Sequence, residues 1–197
     1  MVKAKIAVLV SGGGTNLQAL IDAQKSGIIK SGEITLVVSN NEKAYALERA
    51  KNNNIETAYI PSKALDFEAQ LVKTLKDNDI DIIVLAGFMK ILSGDFTNTF
   101  ENRIINVHPS LIPSFCGKGF YGLKVHEEAL KYGVKVTGAT VHFVNEIPDG
   151  GSIILQKAVY IEDGDTPEVL QKRVMEQAEW IILPQALELV SQKYIKE

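Results

Sequence analysis

Through roughly the first half of the 197-residue chain, short aliphatic and β-branched runs alternate with segments that read at helical spacing, and this alternation restricts the fold more than any other feature. Strands are expected over residues 5–10, 33–39, 57–60 (ahead of Pro61), 81–86 and 104–107. Helices are expected over 16–28, through Leu17, Leu20, Ile21 and Ile28, over 43–53, and over 64–76, through Leu65, Leu71, Val72 and Leu75. Strands joined through helices of this length form right-handed βαβ units, so the chain reads as an α/β fold with a mostly parallel, twisted sheet and helices on both faces, Rossmann-like in outline. Past Gly133 the texture changes. Residues 137–144 and 152–159 read as two strands joined by a loop, and a long C-terminal helix starts at Thr166-Pro167-Glu168, a helix cap followed by a first-turn proline and acid. Pro184 is expected to kink or split that helix.

A chain that is 46% hydrophobic and 23% charged can bury a full core, and no proline- or serine-rich linker interrupts it, so one domain over 1–197 is expected. The net charge of −3, without any Lys/Arg block, gives no attraction to nucleic acid. No apolar stretch approaches membrane-spanning length. One cysteine makes no internal disulfide, and the N-terminus leads into a short strand rather than a signal-peptide core, which together read as cytoplasmic.

Chemistry concentrates at Asn106-Val107-His108-Pro109 and at Asp149-Gly150-Gly151. Asn106 and His108 lie two apart at a strand end, so both side chains leave by one face, and Pro109 stops the strand. An amide, an imidazole and a carboxylate can together orient a carbonyl, stabilise its oxyanion and move a proton, as acyl transfer requires. Each also has a plainer reading: Asp-Gly is an ordinary hairpin signal, and a histidine before proline can simply end a strand. His142, between Val141 and Phe143, fits a structural histidine at least as well as a catalytic one, and His126 reads as a surface residue of a helix over 124–131.

A second feature is Ser11-Gly12-Gly13-Gly14-Thr15-Asn16, which follows a strand and opens a helix, where free N–H groups and the helix dipole favour an anion. It matches neither G-x-G-x-x-G nor a P-loop. By itself it also fits a tight βα turn with no ligand.

Taken together, Ser11-Gly-Gly-Gly-Thr-Asn-Leu17, Leu85-Ala-Gly-Phe-Met-Lys-Ile-Leu92, Asn106-Val-His-Pro-Ser-Leu-Ile-Pro113 and Asp149-Gly-Gly151 resemble, in order and spacing, the phosphoribosylglycinamide formyltransferases of the folate-dependent formyltransferase superfamily. The resemblance implies a Rossmann-like formyltransferase fold and transfer of a formyl group from 10-formyltetrahydrofolate to the amine of glycinamide ribonucleotide in purine synthesis. It implies Asn106, His108 and Asp149 as catalytic residues, with His108 cationic or proton-bearing. Gly13, Gly14, Thr15, Asn16 and Glu179 would hold phosphate and ribose; Leu85, Met89, Lys90, Ile91 and Leu92 would line the folate cleft. No metal is implied, the partners are small molecules, and the assembly is a monomer or homodimer.

The sequence also departs from the family pattern. Lys90 stands where many relatives carry arginine, no arginine lies in 61–73, where Lys63 is the substitute, the Cys116–Gly122 stretch is longer and glycine-rich, and Trp180 replaces a histidine. The rivals are formyltetrahydrofolate hydrolase, which shares the Asn/His/Asp core, methionyl-tRNA formyltransferase, whose RNA-binding domain and basic surface are not seen here, and a non-catalytic nucleotide-binding module. A cysteine hydrolase using Cys116 lacks a sequence-visible base.

Overall fold

The computed structural model describes residues 2–196, so Met1 and Glu197 of the expected domain lie outside it. Five parallel strands follow the predicted alternation: β1 (Ala4–Val10), β2 (Gly32–Ser39), β3 (Glu56–Tyr59), β4 (Ile82–Leu85) and β5 (Ile104–His108). Two antiparallel strands, β6 (Val136–Phe143) and β7 (Ile153–Tyr160), complete one sheet in the order β3-β2-β1-β4-β5-β6-β7. The connecting helices are α1 (Thr15–Lys25), α2 (Tyr45–Lys51), α3 (Phe67–Asp77), α4 (Gly94–Thr99) and α5 (Leu123–Tyr132).

Alternation along the buried strands distributes side chains between two cores, one on each face. In β1, Ile6, Val8 and Val10 pack with Leu17, Leu20 and the C-terminal helices, whereas Ala7 and Leu9 pack with Leu71, Leu75 and Phe96. Strands buried on both faces carry near-continuous apolar runs, which is why β1 and β4 stand out in the sequence. The order reverses between β1 and β4. In open α/β sheets a crevice forms at the carboxyl ends of the strands at such a switch point.

The boundaries differ from the sequence expectation in four informative places. Helix α1 stops at Lys25 because Gly27 turns to φ 78°, leaving Ile28 exposed and Ile29 buried in its stead. Helix α3 starts only at Phe67, and Leu65 is fully exposed in the preceding turn. Helix α4 was not expected: it spans six residues, too few to show a period, and rests on the Ser93 cap, whose Oγ accepts from Phe96 N at 3.2 Å. The C-terminal helix is interrupted upstream of Pro184: α6 (Pro167–Val174), capped by Thr166, runs into a π turn over Met175–Glu179 and resumes as α7 (Trp180–Ser191) with Pro184 inside it. Pro184 lies four residues after Trp180, so the helical bond it cannot make is the one to the Trp180 carbonyl, at the first residue after the π turn. Among the described residues no helix is long and apolar enough to cross a membrane.

Candidate active site

The carboxyl ends of β1, β4 and β5 deliver, respectively, the glycine turn, the Leu85–Leu92 segment and the Asn106/His108 pair to the switch-point crevice. Register does the rest. Asn106 pairs directly with His142 across β5 and β6, and Asn106 Nδ2 stands 3.2 Å from His142 Nε2. A register shift at Val141/His142, where β7 carries an extra residue, marks a bulge at that histidine. The β6–β7 connection is a nine-residue loop over 144–152 rather than a tight hairpin, and Asp149, at φ 56°, turns its carboxylate inward. Gly151 is required there, since a Cβ would meet the Phe143 carbonyl oxygen at 1.7 Å.

Asp149 sits between two imidazoles, with Oδ2 3.5 Å from His108 Nδ1 and Oδ1 3.6 Å from His142 Nε2, and Gly117 N–H donates to Oδ2 at 2.8 Å. Thus the structure brings Asn106, His108 and Asp149 together and joins His142 to them. His108 Nε2 donates to the Phe115 carbonyl at 2.9 Å, so that nitrogen carries the proton while Nδ1 faces Asp149. Burial pushes the His108 pKa below its ordinary value, outweighing the upward pull of Asp149 and of the Phe115 carbonyl. Removal from water thus favours the neutral imidazole against the pull of the nearby carboxylate, and its Nε2 still bears a proton, within the cationic or proton-bearing role that the resemblance implies. Burial pushes the Asp149 carboxyl up, but His142, His108 and the Gly117 N–H together hold it below the usual range.

The glycine turn separates two roles. Gly14, at φ 72°, is the residue before α1, and a Cβ on it would collide with Ala46 Cβ at 2.6 Å; it is a packing glycine. At Gly13 a Cβ would meet nothing within 4 Å, which leaves the space at the helix N-terminus open for an anion. In the first turn of α1, Asn16 Nδ2 donates to Glu179 Oε2 at 2.8 Å, while Asn16 Oδ1 is buried without a partner. Burial raises the Glu179 pKa to about 7, against the Asn16 hydrogen bond. Thr15 Oγ1 lies 4.0 Å from Met175 Sδ at the start of the π turn. Sequence reasoning missed Arg49, whose Nε donates to the Gly13 carbonyl at 2.8 Å. Its signal was Ala46: α2 packs on Gly14 through that small residue, and position 49 shares its face. Lys63, the expected cation, is exposed in the turn before α3 and, among the described residues, makes no hydrogen bond or ion pair.

Between these parts lies an open cleft, walled by Leu85, Ile91, Leu92, Asn106, His142 and Asp149 among others. Met89 is displaced from the expected wall: its backbone N–H donates to Ser11 Oγ at 2.9 Å and its side chain points to solvent. Lys90 borders the cleft, but its Nζ donates to the Ser62 carbonyl at 2.7 Å and stands 4.1 Å over the Phe67 ring, tying two loops together.

With this geometry in place, comparison with known proteins is decisive. Residues 4–187 match the formyl transferase family. This chain belongs to the formyl transferase family. It is similar to phosphoribosylglycinamide formyltransferase of Haemophilus influenzae, with 44% identity over 184 residues, 91% of this chain and 84% of that protein. Human trifunctional purine biosynthetic protein adenosine-3 is 45% identical over 193 residues, 96% of this chain, although the chain spans only 18% of that protein's length. The crystal structure of glycinamide ribonucleotide transformylase 1 from Symbiobacterium toebii has a TM-score of 0.89 at 39% identity, covering 97% of this chain and 89% of that one.

Two further residues near the site bear on its chemistry. His126, expected at the surface, is fully buried on α5 with neither ring nitrogen partnered, and burial, followed by His108, lowers its pKa to about 4. The helix turns position 126 inward beside Val125 and Ala129, a direction that the short 124–131 pattern did not reveal. Cys116 Sγ donates to the Pro113 carbonyl at 3.3 Å, and burial and Asp149 push its thiol pKa up, the reverse of an activated nucleophile. Among the described residues no group of three or more His, Cys, Asp or Glu is arranged to hold a metal ion.

Proposed function

We propose that the protein transfers the formyl group of 10-formyltetrahydrofolate to the primary amine of glycinamide ribonucleotide, a step of purine synthesis. The observation that carries this reading is the meeting of Asn106, His142, Asp149 and His108 between an apolar cleft and a glycine turn that opens a helix. The cleft suits a flat, mostly apolar donor with few polar fixtures. The open face of Gly13 suits a phosphate, and the unpaired Asn16 Oδ1 beside Glu179 suits a hydroxyl donor such as ribose. Within this reading residues 1–197 act as one formyltransferase domain on small molecules.

No side-chain nucleophile is needed. The substrate amine attacks the formyl carbon, a C–N bond forms, and the oxygen becomes an oxyanion. Asn106 spends one amide N–H on His142 and keeps the other for that oxyanion, a contact worth more in a dry cleft than in water. Asp149, ionised at neutral pH, accepts the proton of the attacking amine, and the bare Nδ1 of His108 can share it. The bond from the formyl carbon to the folate nitrogen then breaks, and the proton ends on that nitrogen.

The test is to mix the protein with 10-formyltetrahydrofolate and glycinamide ribonucleotide and to follow both formylated product and donor loss. Product should appear only with both substrates, because an amine held by its phosphate and ribose is positioned for attack whereas water is not. Rapid donor loss that ignores the added ribonucleotide would assign the chain to the hydrolase reading instead.

A further inference from the structure

The stretch between β5 and α5 holds the reacting pair from both sides. Its stem is fixed to the sheet: Thr140 Oγ1 donates to the Ser110 carbonyl at 2.7 Å, Ile112 N–H donates back to Thr140 Oγ1 at 3.1 Å, and Ser110 Oγ donates to the Ser114 carbonyl at 2.6 Å. Immediately after this stem Phe115 adopts φ 48°, a left-handed conformation that a bulky L-residue takes only when its surroundings enforce it. Two backbone groups then converge on the site. The Phe115 carbonyl accepts from His108 Nε2 at 2.9 Å, and Gly117 N–H donates to Asp149 Oδ2 at 2.8 Å.

The Phe115 ring is what can enforce the turn. It meets Phe120 edge-on, with centroids 6.3 Å apart, and Tyr132, at the end of α5, with centroids 5.9 Å apart and an interplanar angle of 75°. The ring therefore ties the middle of the loop and the far end of α5 to one backbone turn. Its position decides which nitrogen of His108 carries the resting proton, and so which nitrogen is left facing Asp149.

We propose that Phe115 is a positioning residue: its ring, set between Phe120 and Tyr132, holds the strained turn whose carbonyl and following amide lock His108 and Asp149 in their reacting geometry. The proposal rests on the formyl-transfer reading for its kinetic consequence but not for its structural one. Phe115→Ala removes the ring and keeps an L-residue at the turn; Phe115→Gly removes both ring and strain; Tyr132→Leu removes one partner from a mostly exposed position outside the site.

The expected result is a kcat lowered about tenfold in both Phe115 variants and less in Tyr132→Leu, with both KM values nearly unchanged, because misplacing a proton-transfer pair affects the chemical step. The acid limb of the kcat–pH profile should move to higher pH, since Asp149 loses the Gly117 N–H that helps to keep its carboxyl ionised while His108, His142 and Cys116 still face it. Imidazole ¹⁵N–¹H spectra give a readout independent of turnover: a slowly exchanging His108 Nε2–H in the unmodified protein should be lost in Phe115→Ala. Loss of that signal supports the proposal even if no formyl transfer is found. Unchanged kcat in Phe115→Ala with the Nε2–H signal retained overturns it, and so does full activity in Phe115→Gly, which would leave the ring without a role.

Discussion

The two polar regions of the site are built in opposite ways. Around Asp149 every group has company: Asn106 faces His142, His142 and His108 flank the carboxylate, and backbone groups of Phe115 and Gly117 complete the set. Around Glu179 the set is incomplete, with Asn16 Oδ1 orphaned, a buried carboxyl whose pKa is raised to about 7 and open space above Gly13. A network in which each side chain is already held by a partner is pre-organised, as a group that must act in a transition state needs to be. An unsaturated one stores a cost that an incoming ligand can relieve. The first region is thus read as chemistry and the second as binding.

The sharpest way to break this division is to truncate the saturated cluster. Alanine at Asn106, His108 or Asp149 should lower kcat by about 10² or more, roughly 3 kcal/mol, while leaving the ribonucleotide KM nearly unchanged. Steady-state kinetics checks this, and a KM effect larger than the kcat effect would merge the two regions into one.

Next comes Glu179→Gln. The folded carboxyl binds its proton more tightly than the unfolded one, so between pH 4.5 and about 7 the native state carries the extra proton and stability falls as pH rises through that window. Above it the ionised carboxylate costs on the order of 3 kcal/mol. Urea titrations at pH 8 should find Glu179→Gln more stable than the parent, with the gain vanishing near pH 5, while the ribonucleotide KM rises. A variant destabilised at pH 8 would mean that the carboxylate is already satisfied.

His126 reverses the sign. Its folded pKa of about 4 lies below the ordinary imidazole value of 6.5, so the unfolded state takes up protons first and stability drains away as pH falls from 6.5 towards 4. By pH 5 the loss is about 2 kcal/mol, and His126→Leu should remove it, displacing the acid-unfolding midpoint to lower pH. An unmoved midpoint would show that some other group governs acid unfolding.

The smallest effect is expected at the turn. Gly13→Val should raise the ribonucleotide KM about tenfold, near 1.4 kcal/mol, the scale of a partly buried anion contact at a helix N-terminus, and spare the folate KM. Gly14→Ala should act instead on stability, through its clash with Ala46. Equal loss of affinity for both substrates in Gly13→Val would remove the phosphate from this turn.

Much of the fold was legible because burial on both faces leaves a mark in one dimension. The runs ending at Val10, Ala86 and Val107 could be read as strands, and Leu71 and Leu75 as an inward helix face, since each period is set locally. Asn106 and His108 were legible for the same reason, being two apart on a strand. Arg49, His126 and the displacement of Met89 were not, because each depends on how one element rests on another: α2 on the glycine turn, α5 on α6 with position 126 near His108, and the Leu85–Leu92 segment on Ser11. Helix α4 escaped because six residues hold too few turns to reveal a face.

By itself, then, the sequence determined the alternating α/β plan, the one-face placement of Asn106 and His108, and the glycine turn at a helix start, since these follow from periodicity and from residue types that act over a few neighbours. Tertiary structure alone decided that His142 stands opposite Asn106, that Asp149 lies between two imidazoles and that burial lowers the His108 pKa against the pull of that carboxylate. Register, burial and dielectric are properties of segments brought together from distant parts of the chain, and no local pattern encodes which of two opposing forces on a proton is the larger.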